Sequence, residues 1–201
     1  MKSLLDLAAK YNSDKLHSHS YIPFYAELFA GRTVNRLLEI GIGFHSLMLP
    51  FVNPDRPYVH GSSLRMWADY FPDAAIFGCD VREETMVYND PLRIRTIVCD
   101  QSSGASLASM VMDLCWDGNR IEGVPTFKGF DIIIDDGSHQ TAHQLLTFDC
   151  LRPRLNEGGV YVIEDCQEPE RLAAHTGGTI HRFDKRPDDV LVVIKNDKLN
   201  F

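Results

Sequence analysis

The sequence lacks the features that would place it in a membrane, outside the cell or on a nucleic acid. No apolar stretch approaches the roughly 20 residues that cross a bilayer. Asp6 interrupts the apolar start, so we expect no secretory signal. The 20 Lys and Arg residues form no basic run and are outnumbered by 28 Asp and Glu, which gives a net charge of -8. Because such a chain repels a nucleic-acid backbone, we expect a cytoplasmic protein that binds neither membrane nor nucleic acid.

Cysteine is present without the pattern of a disulfide framework. The five cysteines are odd in number and include no Cys-x-x-Cys pair. Cys79 and Cys99 lie near the ends of apolar runs, where a thiol behaves as a small hydrophobic side chain. Buried, reduced thiols are therefore expected, as in a cytoplasmic protein.

The length of 201 residues fits one domain with one hydrophobic core. Five short apolar runs predict strands that are covered on both faces, as in a parallel sheet: Arg36–Ile40, Ala75–Cys79, Ile94–Cys99, Phe130–Ile134 and Gly159–Ile163. Two more strands, Thr179–Phe183 and Val190–Ile194, are expected to form an antiparallel hairpin that turns at Asp188-Asp189.

Helical patterns lie before and between the strands. They predict helices at Ser3–Lys10, Pro23–Phe29, Leu64–Phe71, Ser103–Leu114 and Thr141–Leu155, with a polar stretch at Asn12–Ser20 and a long connection at Phe44–Ser62. The alternation predicts a doubly wound, Rossmann-like α/β sheet. The closing hairpin is typical of class I methyltransferases rather than dehydrogenases. We expect a helical cap at residues 1–34 and a Rossmann-like core at 35–201.

The first predicted strand runs into a glycine turn at Gly41-Ile42-Gly43. Glycines let the backbone bend sharply and pass close to a ligand, and ligands of open α/β sheets bind at the carboxyl ends of strands. No helix begins at once after the turn, as a pyrophosphate-binding fold would require. This pattern favours a cofactor without phosphate, such as S-adenosylmethionine (SAM).

Acidic residues end the second and third strands. Asp80 can accept both ribose hydroxyls, or it can cap the following helix. Asp100 stands where an adenine amino group is read, or it is a helix N-cap. The predicted cofactor-binding residues are Glu39, Gly41, Gly43, Ser63, Asp80, Val81, Asp100, Gln101, Ser102 and Asp135.

A second acidic group follows the fourth and fifth strands. Asp136 and His139 lie in Asp-Asp-Gly-Ser-His, and Glu164-Asp165 follow the next strand. Neighbouring parallel strands would bring Asp136 near Glu164 and Asp165, and crowded carboxylates repel one another unless a cation lies among them. Oxygen ligands favour a hard ion, so the three acids are the predicted Mg²⁺ ligands.

The histidine gives this site its expected chemistry. A hydroxyl is a poor nucleophile at neutral pH, and a divalent ion lowers its pKa and fixes its direction. His139 can then take the proton as general base, with Asp136 as the second catalytic residue. The sequence thus predicts methyl transfer from SAM to a hydroxyl oxygen.

These residues resemble the macrolide-sugar O-methyltransferases of the macrocin and mycinamicin type. The likeness is carried by Leu38–Gly43, Gly61–Trp67, Asp69–Pro72, Asp135–His139 and Glu164–Asp165, and by Lys10–Lys15 with His19, Tyr21 and Tyr25. It extends from about Tyr11 to Asp165, and the separation of 28 positions from Asp136 to Glu164 is part of it.

The resemblance implies Mg²⁺ on Asp136, Glu164 and Asp165, His139 as base, and SAM at the glycines and Asp80. It implies a small-molecule hydroxyl acceptor, most simply a sugar, in natural-product or polysaccharide biosynthesis. Lys15 and His19, with Tyr21 and Tyr25, are predicted substrate contacts, with simple core packing as the alternative.

Other functions stay open at this point. A catechol-type O-methyltransferase would use metal chelation in the same way. An iron enzyme resembling the cephalosporin hydroxylases would need His and carboxylate ligands. A non-catalytic SAM-binding module would need no base. The sequence also leaves a homo-oligomer open.

Overall fold

The fold is an α/β sandwich built on one large sheet. A computed structural model of the chain describes residues 2–87, 93–121 and 124–197. Within these ranges, seven strands form a sheet in the order β3-β2-β1-β6-β7-β9-β8. The strands are β1 Arg36–Ile40, β2 Ala75–Asp80, β3 Ile94–Val98, β6 Phe130–Asp135, β7 Leu155–Ile163, β8 Thr179–Arg182 and β9 Val190–Lys195. The first five are parallel, and β9 pairs antiparallel with both β7 and β8. The predicted fold class is confirmed.

Helices cover both faces of this sheet because its strands are apolar on both sides. They are α1 Leu4–Tyr11, α2 Asp14–His17, α3 Tyr21–Leu28, α4 His45–Met48, α5 Ser62–Tyr70, α6 Gly104–Cys115, α7 Thr141–Leu151 and α8 Pro169–Thr176. Leu37 of β1 packs into one core with α1, α3 and α5, while Leu38 points into the second core with α6 and α7. This alternation is what a strand buried on both faces requires.

The N-terminal helices are fixed by local signals as well as by packing. Ser3 caps α1 in a capping box: its hydroxyl accepts a hydrogen bond from the N–H of Asp6, whose carboxylate accepts one from the N–H of Ser3. Asn12 ends the helix in a left-handed conformation, which asparagine tolerates. Leu4, Leu7 and Ala8 then face the core, so the helical cap packs on the sheet.

Several predicted boundaries are wrong, and proline explains two of them. The predicted helix Thr141–Leu155 ends at Leu151, because Pro153 cannot continue a helix; Arg152–Arg154 form a 3₁₀ turn instead. Strand β7 therefore begins at Leu155 rather than Gly159. Helix α3 begins at Tyr21, two residues before Pro23, since proline is tolerated in the first turn of a helix.

Other elements were not predicted at all. The polar stretch Asn12–Ser20 contains α2, and the connection Phe44–Ser62 contains α4 and a 3₁₀ turn at Leu49–Phe51. Helix α8 follows Glu168. A separate two-stranded sheet pairs β4 Trp116–Ile121 with β5 Val124–Phe127. The short helices lack enough turns to give a periodic pattern, which is why the sequence did not reveal them.

The strand order determines where a ligand-binding crevice can form. The chain leaves β1 toward β2 and β3 on one side, and β6 then returns to pair with β1 on the other. Such a reversal opens a crevice at the carboxyl ends of the two strands, where ligands of open α/β sheets bind. No described helix is both long and apolar enough to cross a bilayer.

Candidate active site

A cleft of about 520 Å³ lies at the carboxyl edge of the sheet, above β1 and β6. On one side it is lined by the glycine turn and by the residues that follow β2 and β3. On the other side it is lined by Asp136, His139 and Asp165. The cleft therefore joins the predicted cofactor residues to the predicted metal and base.

The glycine turn is held against the acidic loop. Gly41 has a φ of +90°, and a Cβ at this position would lie 1.9 Å from the carbonyl oxygen of Asp136. The N–H of Asp136 donates to the carbonyl of Ile40 at 2.9 Å, which fixes the two loops together. Only glycine fits here, because the position combines a left-handed backbone with a backbone neighbour.

Asp80 binds the same turn from the next strand. Its Oδ2 accepts hydrogen bonds from the N–H groups of Ile42 at 3.0 Å and Gly43 at 3.2 Å, and its Oδ1 accepts one from Arg82. A carboxylate oxygen can accept a further hydrogen bond, and Asp80 lines the cleft. Its predicted ribose contact is compatible with this geometry and stays a prediction.

The residues after β3 line the part of the cleft that also contains the glycine turn and Asp80, called the cofactor side below. Ser103, not Asp100, caps α6, because its hydroxyl accepts a hydrogen bond from the N–H of Ser106. Asp100 instead accepts hydrogen bonds from the N–H and hydroxyl of Ser102 at 2.9 and 2.6 Å. Gln101 donates to the buried Asp135 at 2.5 Å. Asp135 is thus held behind the cleft, and burial raises its pKa to about 7.

Asp136, His139 and Asp165 form a compact group beside the cofactor side. Each offers one ligand atom, and these atoms all lie within 4.8 Å of one another. His139 Nε2 lies 3.2 Å from Asp136 Oδ1, and His139 Nδ1 lies 3.8 Å from Asp165 Oδ2. Both His139 and Asp165 have left-handed backbones, with φ of 57° and 51°. Left-handed residues of this kind cluster at functional sites, where the surrounding structure maintains the strain.

The charges of this group shift one another's pKa. Burial lowers the pKa of His139, but the hydrogen bond and charge of Asp136 outweigh it and raise that pKa to about 9. Burial opposes the ionised form of Asp136, yet Lys15 and His139 hold its pKa well below the usual range. Burial raises the pKa of Asp165, and its negative neighbour Asp136 adds to the effect. The group is therefore electrostatically coupled and attractive to a cation.

Lys15 lies beneath this group. Its Nζ lies 2.6 Å from Asp136 Oδ2, 2.8 Å from Glu164 Oε1 and 3.2 Å from Glu39 Oε1. Burial lowers the pKa of the ammonium, but the neighbouring carboxylates dominate and raise it well above its usual value. Asp136 and Glu164 are thus brought close together, as the sequence predicted, but through a lysine.

Aromatic side chains hold the remaining acids. The hydroxyl of Tyr25 donates to Glu164 Oε1 at 2.6 Å, and that of Tyr21 donates to Asp165 Oδ1 at 2.6 Å. His19 stacks on Tyr21 with ring centroids 4.7 Å apart, and its Nδ1 lies 3.2 Å from Asp189 Oδ1. The first forty residues therefore build the floor of the acidic site.

The cleft separates the predicted site residues into two sets. Those that line it are His19, Gly41, Gly43, Ser63, Asp80, Val81, Asp100, Gln101, Ser102, Asp136, His139 and Asp165. Six others lie outside its lining: Lys15, Tyr21, Tyr25, Glu39, Asp135 and Glu164. Those six contact lining residues or one another in the described structure, so their geometry favours support of the site over contact with a ligand.

Sequence reasoning missed part of the lining. Phe44, Leu47, Met48 and Phe51 give the cleft an apolar wall, and Arg186 with Asp188 gives it a charged rim. His143 also lines it, and its Nδ1 lies 2.8 Å from the Ser138 hydroxyl. The apolar residues within the connection Phe44–Ser62 were a signal that could have indicated the apolar wall. No sequence pattern indicated that Arg186 and Asp188 would lie at the cleft.

Known proteins resemble this chain in sequence, although no family model matches it. The 8-demethyl-8-alpha-L-rhamnosyl tetracenomycin-C 2'-O-methyltransferase of Streptomyces olivaceus is 37% identical over 167 residues, which are 82% of this chain and 38% of that protein. The mycinamicin VI 2''-O-methyltransferase of Micromonospora griseorubida is 36% identical over 165 residues, 81% of this chain and 35% of that one. The chain spans little more than a third of the length of these curated relatives.

Solved structures give the same result. The MycE methyltransferase from the mycinamycin biosynthetic pathway, in complex with Mg, SAH and mycinamycin VI, aligns over 100% of this chain and 57% of its own, with a TM-score of 0.69 and 28% identity. A putative caffeoyl-CoA O-methyltransferase from Staphylococcus aureus aligns over 97% of this chain and 92% of its own with a TM-score of 0.57, and at 14% identity it supports the fold alone. Over about four fifths of its length the chain is therefore similar to part of the macrocin- and mycinamicin-type sugar O-methyltransferases, and it has the class I SAM-dependent methyltransferase fold.

Proposed function

We propose that this chain transfers a methyl group from SAM to a hydroxyl oxygen of a sugar or similar polyol, with a divalent cation, most simply Mg²⁺, in the acidic site. The observation that carries the proposal is the single cleft that holds both the glycine turn with Asp80 and the group Asp136, His139 and Asp165. By their names the relatives above are a 2'-O-methyltransferase of a rhamnosyl tetracenomycin and a 2''-O-methyltransferase of mycinamicin VI, and MycE was solved with Mg and SAH.

The cofactor side fits a molecule like SAM. Gly41 and Gly43 line the cleft, and because Gly41 has no side chain the Asp136 loop packs directly against the turn. Asp80 supplies carboxylate oxygens for ribose hydroxyls, and Asp100 to Ser102 supply polar groups for the base. The volume of about 520 Å³ is within the range of small-molecule and cofactor sites.

The acidic side fits a hard divalent cation. The Asp136 and Asp165 carboxylates converge with His139 at the cleft surface, and such oxygen donors are what Mg²⁺ prefers. Glu164 lies behind them, and its Oε1 is already bound by Lys15 and Tyr25. When bound, the ion would lower the pKa of a neighbouring acceptor hydroxyl and, by its charge, that of His139.

His139 is the base in this proposal. If its Nε2–H donates to Asp136 Oδ1, the Nδ1 atom is left without a proton and can take one from the acceptor hydroxyl. Asp136 would thereby set the tautomer and direction of the imidazole, in the manner of a carboxylate that orients a metal-site histidine. SAM, when bound, would supply the methyl group, and the residues of this chain would hold the acceptor oxygen in line with it and remove its proton.

The acceptor would enter past the apolar wall of Phe44, Leu47, Met48 and Phe51. Polar groups line the same cleft: His19, Asp165 and the Arg186–Asp188 pair, with the Arg186 guanidinium 5.2 Å from the centroid of the Phe51 ring. A molecule that carries both hydroxyls and a bulky apolar part is complementary to such a mixed lining. A glycoside meets this description better than a free sugar does.

The direct test is methyl transfer with defined acceptors. Purified protein, SAM and MgCl₂ are incubated with rhamnosides that carry apolar aglycones, or with catechol as the alternative acceptor. Methyl ethers of the glycosides are expected, with products identified by mass spectrometry. Methylation of catechol alone would replace the sugar acceptor. Copurified iron with no methyl transfer would favour the hydroxylase alternative, and SAM binding without any product would favour the non-catalytic module.

A further inference from the structure

Lys15 occupies an unusual place for a lysine. Its side chain is 0% exposed and lies outside the cleft lining, so it reaches neither solvent nor a ligand in the cleft. Lysine is almost never fully buried unless it is paired. Here the ammonium lies within 3.2 Å of three carboxylates, one at or after the end of each of three adjacent strands: Glu39 of β1, Asp136 after β6 and Glu164 after β7.

The lysine divides the Asp136 carboxylate into two sides. Its Nζ binds Oδ2 from below, whereas Oδ1 lies beside His139 at the cleft. Oδ2 is therefore paired with the ammonium of Lys15. Oδ1 remains available to a cation that binds beside His139 and Asp165. Two positive charges can act on the same acid from opposite sides.

One ammonium ion does not satisfy three buried acids. Lys15 Nζ donates hydrogen bonds to Asp136 and Glu164, whereas Glu39 Oε1 is buried without a hydrogen-bond partner. By formal charge one ammonium faces three carboxylates, and the carboxylate of Asp165 lies on the far side of His139 from Asp136. Uncompensated buried charge destabilises a fold, so the cluster is poised to gain from a second cation.

We propose that Lys15 is a built-in counter-ion of the Glu39–Asp136–Glu164 cluster. Its ammonium stabilises the metal-free fold by neutralising the inner side of the cluster, and its positive charge weakens the binding of a divalent cation on the outer side. Lys15 is thus a positioning residue rather than a catalytic one. The inference rests on the proposed function for the presence of a divalent cation, but the charge arrangement itself is independent of methyl transfer.

The test removes the charge while keeping an unbranched side chain of nearly the same length. The variants are Lys15→Met, the double variant Lys15→Met/Glu39→Gln, and the control Lys10→Met, which breaks the exposed pair of Lys10 with Asp69. Thermal unfolding is followed at pH 8 in EDTA and in increasing MgCl₂. Mg²⁺ binding is measured by calorimetry. Methyl transfer by the wild type is assayed separately, so a failure of the proposed function is distinguishable from a failure of this inference.

The expected results differ from those of a packing defect. Lys15→Met lowers the unfolding midpoint in EDTA on the order of 10 °C. MgCl₂ restores more of this loss than it adds to the wild type, and the Mg²⁺ dissociation constant falls about tenfold because the repelling ammonium is gone. Glu39→Gln in the same chain recovers part of the EDTA midpoint, since it removes one unpaired charge. Lys10→Met changes none of these values by more than about 2 °C.

Three results would overturn the proposal. The first is a Lys15→Met midpoint in EDTA equal to that of the wild type. The second is a loss of stability that neither MgCl₂ nor Glu39→Gln changes, which would indicate packing alone. The third is a failure of both Lys15 variants to fold even with MgCl₂ present.

Discussion

His139 Nε2 lies 3.2 Å from Oδ1 of Asp136, three residues earlier in the chain. The contact is made after the strand has ended, where the left-handed backbone of His139 turns the chain at φ 57°. A histidine in a regular extended chain would point away from that acid. The strain at His139 therefore accompanies the side-chain contact on which the proposed base depends.

Replacement of this imidazole should abolish turnover and leave cofactor binding intact. Asparagine is the preferred substitute, because it tolerates the left-handed backbone that alanine does not. His139→Asn is expected to lower kcat by about 10²- to 10⁴-fold, the usual contribution of a general base. Calorimetry with S-adenosylhomocysteine should give the wild-type affinity. The control is His175→Asn, which removes a histidine paired with Asp149 away from the cleft. Full turnover by His139→Asn would mean that another group takes the proton.

Removal of divalent ions should stop methyl transfer. EDTA is expected to reduce the rate to background, and MgCl₂ should restore it, because the acceptor hydroxyl then regains its activating cation. The measurement is the initial rate of methylated product against free Mg²⁺. An enzyme that keeps its full rate after exhaustive chelation would have no need of the acidic site.

Replacement of the acidic residues of the site should affect Mg²⁺ binding and stability to different extents. Asp136→Asn and Asp165→Asn each remove a carboxylate at the cleft surface, so both should weaken Mg²⁺ binding by about tenfold or more. Glu164→Gln should lower the unfolding midpoint as well, since Glu164 binds Lys15 and Tyr25 in the interior. The matched control is Asp113→Asn, whose partner Arg95 lies on the surface. Equal Mg²⁺ affinity in all four variants would place the ion elsewhere.

A side chain at Gly41 should disrupt the turn. Gly41→Ala combines a φ of +90° with a Cβ 1.9 Å from a backbone oxygen, so the free energy of unfolding should fall by at least about 3 kcal/mol. Gly158→Ala has a similar φ of +73° but no atom within 4 Å of the new Cβ, and should cost about 1 kcal/mol. Urea unfolding of the two variants separates the collision from the backbone strain. If the two losses are equal, the close approach of the Asp136 loop contributes nothing.

Loss of the Asp80 carboxylate should weaken cofactor binding. Asp80→Ala removes the acceptor for two backbone N–H groups of the glycine turn as well as the proposed ribose contact. The S-adenosylhomocysteine dissociation constant should rise roughly 10- to 100-fold, as expected when hydrogen bonds to a charged group are lost. Asp55→Ala, outside the cleft lining, serves as control. Unchanged affinity would remove Asp80 from the cofactor site.

The sequence predicted the sheet well because its strands are short, apolar and separated by helical periodicity. Each predicted strand is present, and the antiparallel hairpin follows as expected. Some errors fall where no periodic pattern could form, at the four-residue helices α2 and α4 and at the helix end before Pro153. The longer helix α8 and the β4–β5 pair were missed as well. Local rules set these boundaries only once neighbouring segments are in place.

The site was predictable to the extent that strand order brings motif residues together. Acids that follow β6 and β7 are neighbours because those strands pair, and this relation can be inferred from sequence. The position of Lys15 between Asp136 and Glu164 could not be inferred, since it depends on how the N-terminal helices pack on the sheet. The same limit applies to Arg186 and Asp188, which reach the cleft only through the hairpin.

The pairing of His19 with Asp189 joins residues 170 positions apart in the chain. A ribosome synthesises the N-terminal helices long before the β8–β9 hairpin. During synthesis His19 therefore lacks its buried carboxylate partner. Strand β9, which lies between β7 and β8, likewise arrives after every parallel strand is out. The surroundings of Asp165 therefore cannot form while the chain is still being synthesised from its N-terminus. A nascent chain stalled before residue 189 would contain the glycine turn and Asp136 but would lack the residues that complete the packing around Asp165.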